Sequence, residues 1–275
     1  AATGVAAASL LVAPAEPRAE PDPVAQARAL DEQLLFYPSR YPNGDWQPAG
    51  VDFEDVWFTS RDGTRLHGWY FANRDARAVV LYLHGNAGNV THRARLIERL
   101  RTRLGLTVLV FDYRGYGRSA GEPTVPGVLE DARAARAFVA RRAGVDESDV
   151  VLMGRSLGGA VAVELAAELE PRGLVLMSTF SSLKDLAAHH VPLLAWVVPS
   201  DKLDSLAGIR KYTGPLLQSH GDADRTVPLS FGRRLFEAAH EPKRFVLIPG
   251  ARHNSPQPES YYVELDRFVE SLPGR

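Results

Sequence analysis

Six short apolar runs without polar alternation fix most of what this chain can fold into: AVVLYLHG (78–85), TVLVFDY (107–113), VVLMG (150–154), GLVLMST (173–179), PLLQSHG (215–221) and RFVLIPG (244–250). A strand with one wet face alternates apolar and polar residues, so runs like these predict strands covered on both faces. Helix-period stretches at 93–104, 127–142, 157–169, 231–240 and 258–272 stand among them. That β-then-α rhythm predicts a mostly parallel sheet with helices on both faces. Two further runs, 56–60 and 66–71, flank the turn RDGT, and its Asp-Gly pair predicts an antiparallel hairpin that brings the sheet to eight strands.

The 275 residues suit one α/β unit with a large core, and no repeat of fixed period points to a solenoid. We place a single α/β domain at 34–275 and a flexible or targeting segment at 1–33, where an Ala-rich apolar start gives way to a Pro/Ala/Glu stretch. Two readings of that segment stay open: a plain flexible tail, or the remnant of a signal peptide or membrane anchor. Its apolar run to Val12 is too short to span a bilayer alone. The stretch at about 181–212 is longer than one crossover helix needs and predicts a small cap. Its Leu, Val and Trp196 side chains either line a substrate pocket or form the buried face of a cap helix. Its pair His189 and His190 lacks a further ligand at metal spacing. A cap this small predicts an open site of modest selectivity.

A formal net charge of −1 offers no field for nucleic acid or an anionic membrane, so the partner is sought in a pocket. With no cysteine, thiolate nucleophiles and zinc-thiolate sites are excluded.

The run VVLMG continues directly into RSLGGAVA, so Ser156 stands among Gly154, Gly158 and Gly159 where a strand yields to a helix of small residues. A Gly-x-Ser-x-Gly pentapeptide can arise by chance; the strand before it and the helix after it carry the argument. On such a turn a serine is held above the sheet in a strained conformation, and the flanking glycines relieve crowding. The turn also leaves the first helical amides unpaired, which makes the N–H of Leu157 a donor for a developing oxyanion. Ser156 is the predicted nucleophile.

A serine hydroxyl needs a base, normally a histidine oriented by a carboxylate. In folds with this elbow the order along the chain is Ser, then Asp or Glu, then His, each on a loop at the carboxyl end of a strand. Beyond the strand at 215–221 stand His240, which ends a helix and suits a dipole contact, and His253, in the loop GARHNS after RFVLIPG. His253 is the predicted base. The loop HGDADRTVP offers two carboxylates, and Asp224, further past the strand, is expected to reach the histidine. Asp222 is then expected to bind backbone amides in an Asx-type turn. The second oxyanion donor should come from HGNAGN (84–89), which points to the N–H of Asn86, with His84 organising the loop through a hydrogen bond.

Taken in order, HGNAGN, FDYRGYGRSAGEP (111–123), GRSLGGAVA, STFSSL (178–183), GDADRTVP and GARHN resemble the serine α/β-hydrolases of the Bem46 and ABHD13/ABHD17-like group. The similarity runs from about Leu34, where LLFYPSR resembles the family's leading segment, to the C-terminus. The resemblance implies an α/β-hydrolase fold, Ser156, Asp224 and His253 as triad, and Asn86 and Leu157 as amide donors. Asp112 and Arg114 match the family too, and we read them as a structural turn and ion pair. Relatives often carry an N-terminal membrane anchor, which makes residues 1–33 a candidate membrane attachment. Some relatives are thioesterases that remove fatty acyl groups from protein cysteines.

The expected function is hydrolysis of an ester or thioester in a small-molecule or acylated substrate, through an acyl-enzyme and with no cofactor or metal. A peptidase or amidase would use the same triad, and a catalytically silent scaffold of this fold would ignore a serine-directed phosphonate. Elbow chemistries that need Asp or Cys are excluded, since position 156 is serine. The compartment is left open.

Overall fold

The computed structural model describes residues 35–274, and the segment 1–33, with its two readings, lies outside them. Eight strands form one sheet: β1 (Glu54–Thr59), β2 (Arg65–Phe71), β3 (Ala78–Leu83), β4 (Leu106–Asp112), β5 (Val150–Arg155), β6 (Gly173–Met177), β7 (Leu216–Gly221) and β8 (Lys243–Ile248). Their spatial order is β8-β7-β6-β5-β3-β4-β2-β1. The β1–β2 and β2–β4 pairs are antiparallel; the remaining pairs of the sheet are parallel. The expected hairpin joins β1 to β2. Gly63 there has φ 88°, the left-handed region that suits glycine, and the Thr64 N–H donates to the Asp62 carboxylate at 3.0 Å.

Chain order reverses at β3, which lies between β4 and β5. In open α/β sheets the crevice beyond the carboxyl ends of the strands at such a reversal is where ligands bind. The loops that emerge there follow β3 and β5, and they carry Asn86 and Ser156.

Successive residues of a strand point to opposite faces, and the buried runs feed two cores. Leu81, Leu109, Leu152 and Leu174 pack with α2 (Val125–Ala143), α3 (Leu157–Glu168) and α6 (Leu229–Ala238). Val80, Val108, Val151 and Val175 pack on the other face with α1 (Ala94–Leu104) and α7 (Glu259–Ser271). Each such side chain contributes about 1.5–3 kcal/mol through its burial, which is why these runs tolerate no polar alternation.

Two expectations need correction. The sixth apolar run, β8, is not covered on both faces: Arg244 and Leu247 are exposed, and Ile248 alone of its six residues is buried. It is the border of the sheet, paired with β7 on one side, so its outer positions lack cover. Between β6 and β7 the chain forms α4 (Leu183–His190), a 3-10 turn (Pro192–Val197) and α5 (Ser205–Ile209). Leu193 and Trp196, expected to line a pocket or pack inward, are 87% and 79% exposed. Pro192 explains this: it disfavours helical geometry at Val191 and lacks an N–H, so α4 stops before it and the following turn presents different faces. Leu183, Val198 and Leu203 anchor the segment instead. No helix among the described residues is long and apolar enough to cross a membrane.

Candidate active site

β5 ends at Arg155 and α3 begins at Leu157, leaving Ser156 alone in the turn with φ 54° and ψ −118°. A non-glycine residue held there costs on the order of 1–3 kcal/mol, so neighbours must hold it. The Ser156 N–H donates to the Met177 carbonyl at 2.9 Å, and its carbonyl accepts from Gly159 at 2.9 Å and Ala160 at 3.2 Å. The turn closes because glycine stands at the contact: a Cβ on Gly158 would collide with the Leu83 carbonyl, and one on Gly154 with the Gly158 backbone. Gly158→Ala is therefore expected to destabilise the protein by about 3 kcal/mol through overpacking against immovable backbone. Thermal melting should register a fall on the order of 10 °C; a melting temperature equal to the parent's would refute the close-approach argument.

Ser156 and His253 line one cavity of about 170 Å³, together with Gly85, Asn86, Leu157, Phe180 and Leu186 among others. A larger cleft of about 920 Å³, beside Arg114, Gly127 and Glu164, contains none of the five predicted site residues, and chemistry rather than volume selects the smaller one.

His253 lies in the loop after β8, and its Nδ1–H donates to Asp224 Oδ2 at 2.8 Å. That bond fixes the tautomer and leaves Nε2 as the acceptor. Asp224 Oδ1 accepts from the N–H groups of Thr226 at 2.9 Å and Val227 at 2.8 Å. Burial opposes ionisation of Asp224, but the hydrogen bonds from His253 and Val227 outweigh it, holding the carboxyl below its ordinary range. Ser156 Oγ makes no hydrogen bond to His253 among the described residues; such bonds are often long before substrate arrives.

The two carboxylates of this loop keep their expected partners, a histidine for Asp224 and a backbone amide for Asp222, but the Asx-type turn lies elsewhere. Asp222 accepts from the Gly250 N–H at 2.6 Å, a bridge to the loop after β8, because it leaves β7 directly beside that neighbouring strand end. The Asx-type turn belongs to Asp224, which also meets the histidine. His220, which sequence reasoning passed over, sits behind it: its ring nitrogen Nε2 donates to the Val227 carbonyl at 2.8 Å and lies 3.6 Å from Asp224 Oδ2. Burial lowers its pKa. Its place at the end of β7, just before Gly-Asp-Ala-Asp, was the available signal.

On the other side of the cavity the Asn86 carbonyl accepts from the Tyr37 N–H at 3.0 Å and the Tyr116 hydroxyl at 2.6 Å. The Asn86 side chain donates to the Leu35 carbonyl at 2.9 Å. Its own N–H has no protein acceptor among the described residues, and Leu157, at the first helical position, has no carbonyl one turn back to receive its N–H. The Gly85–Asn86 peptide is oriented by His84, whose Nδ1–H donates to the Gly85 carbonyl at 2.7 Å, the loop-organising bond expected of it. Burial, aided by the charge of Arg93, lowers the His84 pKa to about 3, so this ring stays neutral near pH 7.

Asp112 accepts from the Val90 N–H at 2.9 Å, bracing the same loop. Arg114 takes its ion pairs from Asp131 and Asp62, both at 2.7 Å, rather than from Asp112. His240 donates to the Arg210 carbonyl and His190 to the Thr226 carbonyl. No cluster of metal-ligand side chains occurs among the described residues.

A family model described as serine aminopeptidase, S33 (Hydrolase_4), matches residues 74–207. The chain is 40% identical to the uncharacterized protein Rv2307c of Mycobacterium tuberculosis, over 87% of this chain and 86% of that one. It is 32% identical to the alpha/beta hydrolase domain-containing protein WAV2 of Arabidopsis thaliana (84% and 83%) and 28% identical to the protein bem46 of Schizosaccharomyces pombe (81% and 80%). Among solved structures, the Pyrococcus furiosus esterase Pf2001 superposes with a TM-score of 0.71 at 23% identity, covering 87% of this chain and 98% of that one; the likeness is one of fold.

Proposed function

Since the chain belongs to the Bem46-like α/β-hydrolases, we propose that it cleaves a carboxylic ester or thioester, with Ser156 as nucleophile and His253 as general base. Asp224 stays ionised and holds the imidazole, and the N–H groups of Asn86 and Leu157 receive the oxyanion. The observation that carries this reading is that His253, already bonded to Asp224 at 2.8 Å, lines the same cavity as the strained Ser156.

In the first half-reaction His253 Nε2 takes the Ser156 proton while Oγ bonds to the acyl carbon, and the carbonyl electrons move onto oxygen. Collapse breaks the bond to the alcohol or thiol, which leaves with the proton from His253. Water then attacks the acyl-enzyme, gives a proton to His253, and the acid departs as Ser156 Oγ recovers it. Each amide donor is worth about 3 kcal/mol of transition-state stabilisation.

An amide substrate is the second reading, favoured by the serine aminopeptidase description of the matched family. An aminopeptidase must hold a cationic α-amino group, and no Asp or Glu lines this cavity among the described residues. The balance lies with the ester.

The test is covalent. A fluorophosphonate should label the parent and not Ser156→Ala, and hydrolysis of p-nitrophenyl esters should peak at short to medium acyl chains. The cavity of about 170 Å³ supports that length; it is smaller than the roughly 300 Å³ at the low end for drug-sized ligands. An unlabelled parent would point to a silent scaffold, activity rising steadily to long chains would overturn the size argument, and faster release from aminoacyl anilides would favour the amide.

A further inference from the structure

Two arginines line the cavity that holds Ser156 and His253: Arg93, the residue before α1, and Arg155, the residue before the nucleophile. Both are half-buried. Their hydrogen bonds go to main-chain carbonyls. Arg93 Nη2 donates to Ala87, beside Asn86, at 2.6 Å, and Arg155 Nη2 donates to His253 and, at 3.3 Å, to Ser255.

These tethers use a small part of each guanidinium, which has five N–H donors. The Nε–H groups of both are buried without an acceptor, and neither arginine has a carboxylate partner among the described residues. Buried N–H donors left without an acceptor are costly. No Asp or Glu lines the cavity; Asp224 stands behind His253 with its oxygens already engaged by His253, Thr226 and Val227. The cavity thus carries two cations, one tied to the loop of Asn86 and the other to the loop of His253, with donors left over. Loop tethering alone accounts for the Nη2 bonds and leaves the remaining donors unexplained.

Resting on the hydrolase reading above, we propose that the substrate carries an anionic group, a carboxylate or a phosphate, which Arg93 and Arg155 hold while the scissile carbonyl sits at Ser156. Planar guanidinium groups suit either anion through paired N–H donors.

Matched esters test this: p-nitrophenyl pentanoate and p-nitrophenyl hydrogen glutarate have equal acyl length and differ by a terminal carboxylate. Spontaneous hydrolysis is measured with Ser156→Ala and subtracted. The parent should prefer the acidic ester by about tenfold in kcat/KM, and Arg93→Gln and Arg155→Gln should each remove about that factor from the preference. Added salt should erode it. A purely structural role would slow both esters together and leave their ratio unchanged, and a parent that prefers the neutral ester would overturn the proposal. Calorimetric titration of the parent with glutarate and with inorganic phosphate supplies a readout independent of turnover. Tighter glutarate assigns a carboxylate and tighter phosphate assigns a phosphate, in both cases with binding lost in Arg93→Gln. Were no ester hydrolysed, the hydrolase reading would fail while this titration still decided the anion site; binding of neither anion would overturn it.

Discussion

Replacing Ser156 with alanine is expected to lower turnover of a p-nitrophenyl ester by about 10⁶ while leaving the fold intact. Alanine keeps the Cβ, and with it the steric demands of φ 54°, and removes only Oγ, the atom proposed to bond to the acyl carbon. The turn should survive, because the Ser156 contacts that hold it are main-chain bonds to Met177, Gly159 and Ala160. Steady-state rates and melting curves of parent and variant decide the matter. A variant within tenfold of the parent would remove Ser156 from the chemistry.

Asp224→Asn is expected to cost about 10⁴ in kcat, and the local bonding says why. The asparagine carbonyl can keep the amides of Thr226 and Val227, which now bond to Oδ1. Its NH₂ group then replaces Oδ2 opposite His253 Nδ1 and demands an acceptor there. The imidazole must move its proton to Nε2, where it can no longer accept one from Ser156. Stability should follow pH with a definite sign. The folded state holds the Asp224 carboxyl below its ordinary range, so its contribution is full above that range and is lost as pH falls through the lowered value. The melting-temperature gap between parent and variant should therefore close on strong acidification. A gap that widened there would contradict the assignment.

Much of the architecture was legible because strands buried on both faces cannot hide their composition. AVVLYL and VVLMG read as inner strands since polar residues there would have no partners. The exposure of β8 was not legible, because RFVLIPG resembles its neighbours and only the order of strands in space says which one borders solvent. The segment after β6 misled for a local reason: the spacing of Leu193 and Trp196 suits a helix that Pro192 ends.

At the site, motif position located Ser156, Asn86, Asp224 and His253, each on a loop at a strand's carboxyl end. That the Asx-type turn belongs to Asp224 rather than Asp222 depends on which carboxylate faces the neighbouring loop, and spacing cannot express that. Arg155 and His220 stand inside motifs already read, but no spacing along the chain pairs Arg155 with Arg93; 62 positions separate the two arginines in sequence, and only folding gathers them around one cavity.

The bond from Arg155 to the carbonyls of His253 and Ser255 has a mechanical meaning as well. The histidine loop hangs from β8, the border where a sheet frays first. A base displaced by about an ångström loses its alignment with the nucleophile. Arg155, anchored in the middle of the sheet beside Ser156, is a cross-brace that moors the His253 loop to the strand that leads into Ser156. Breathing at the border can thus proceed without carrying the imidazole away.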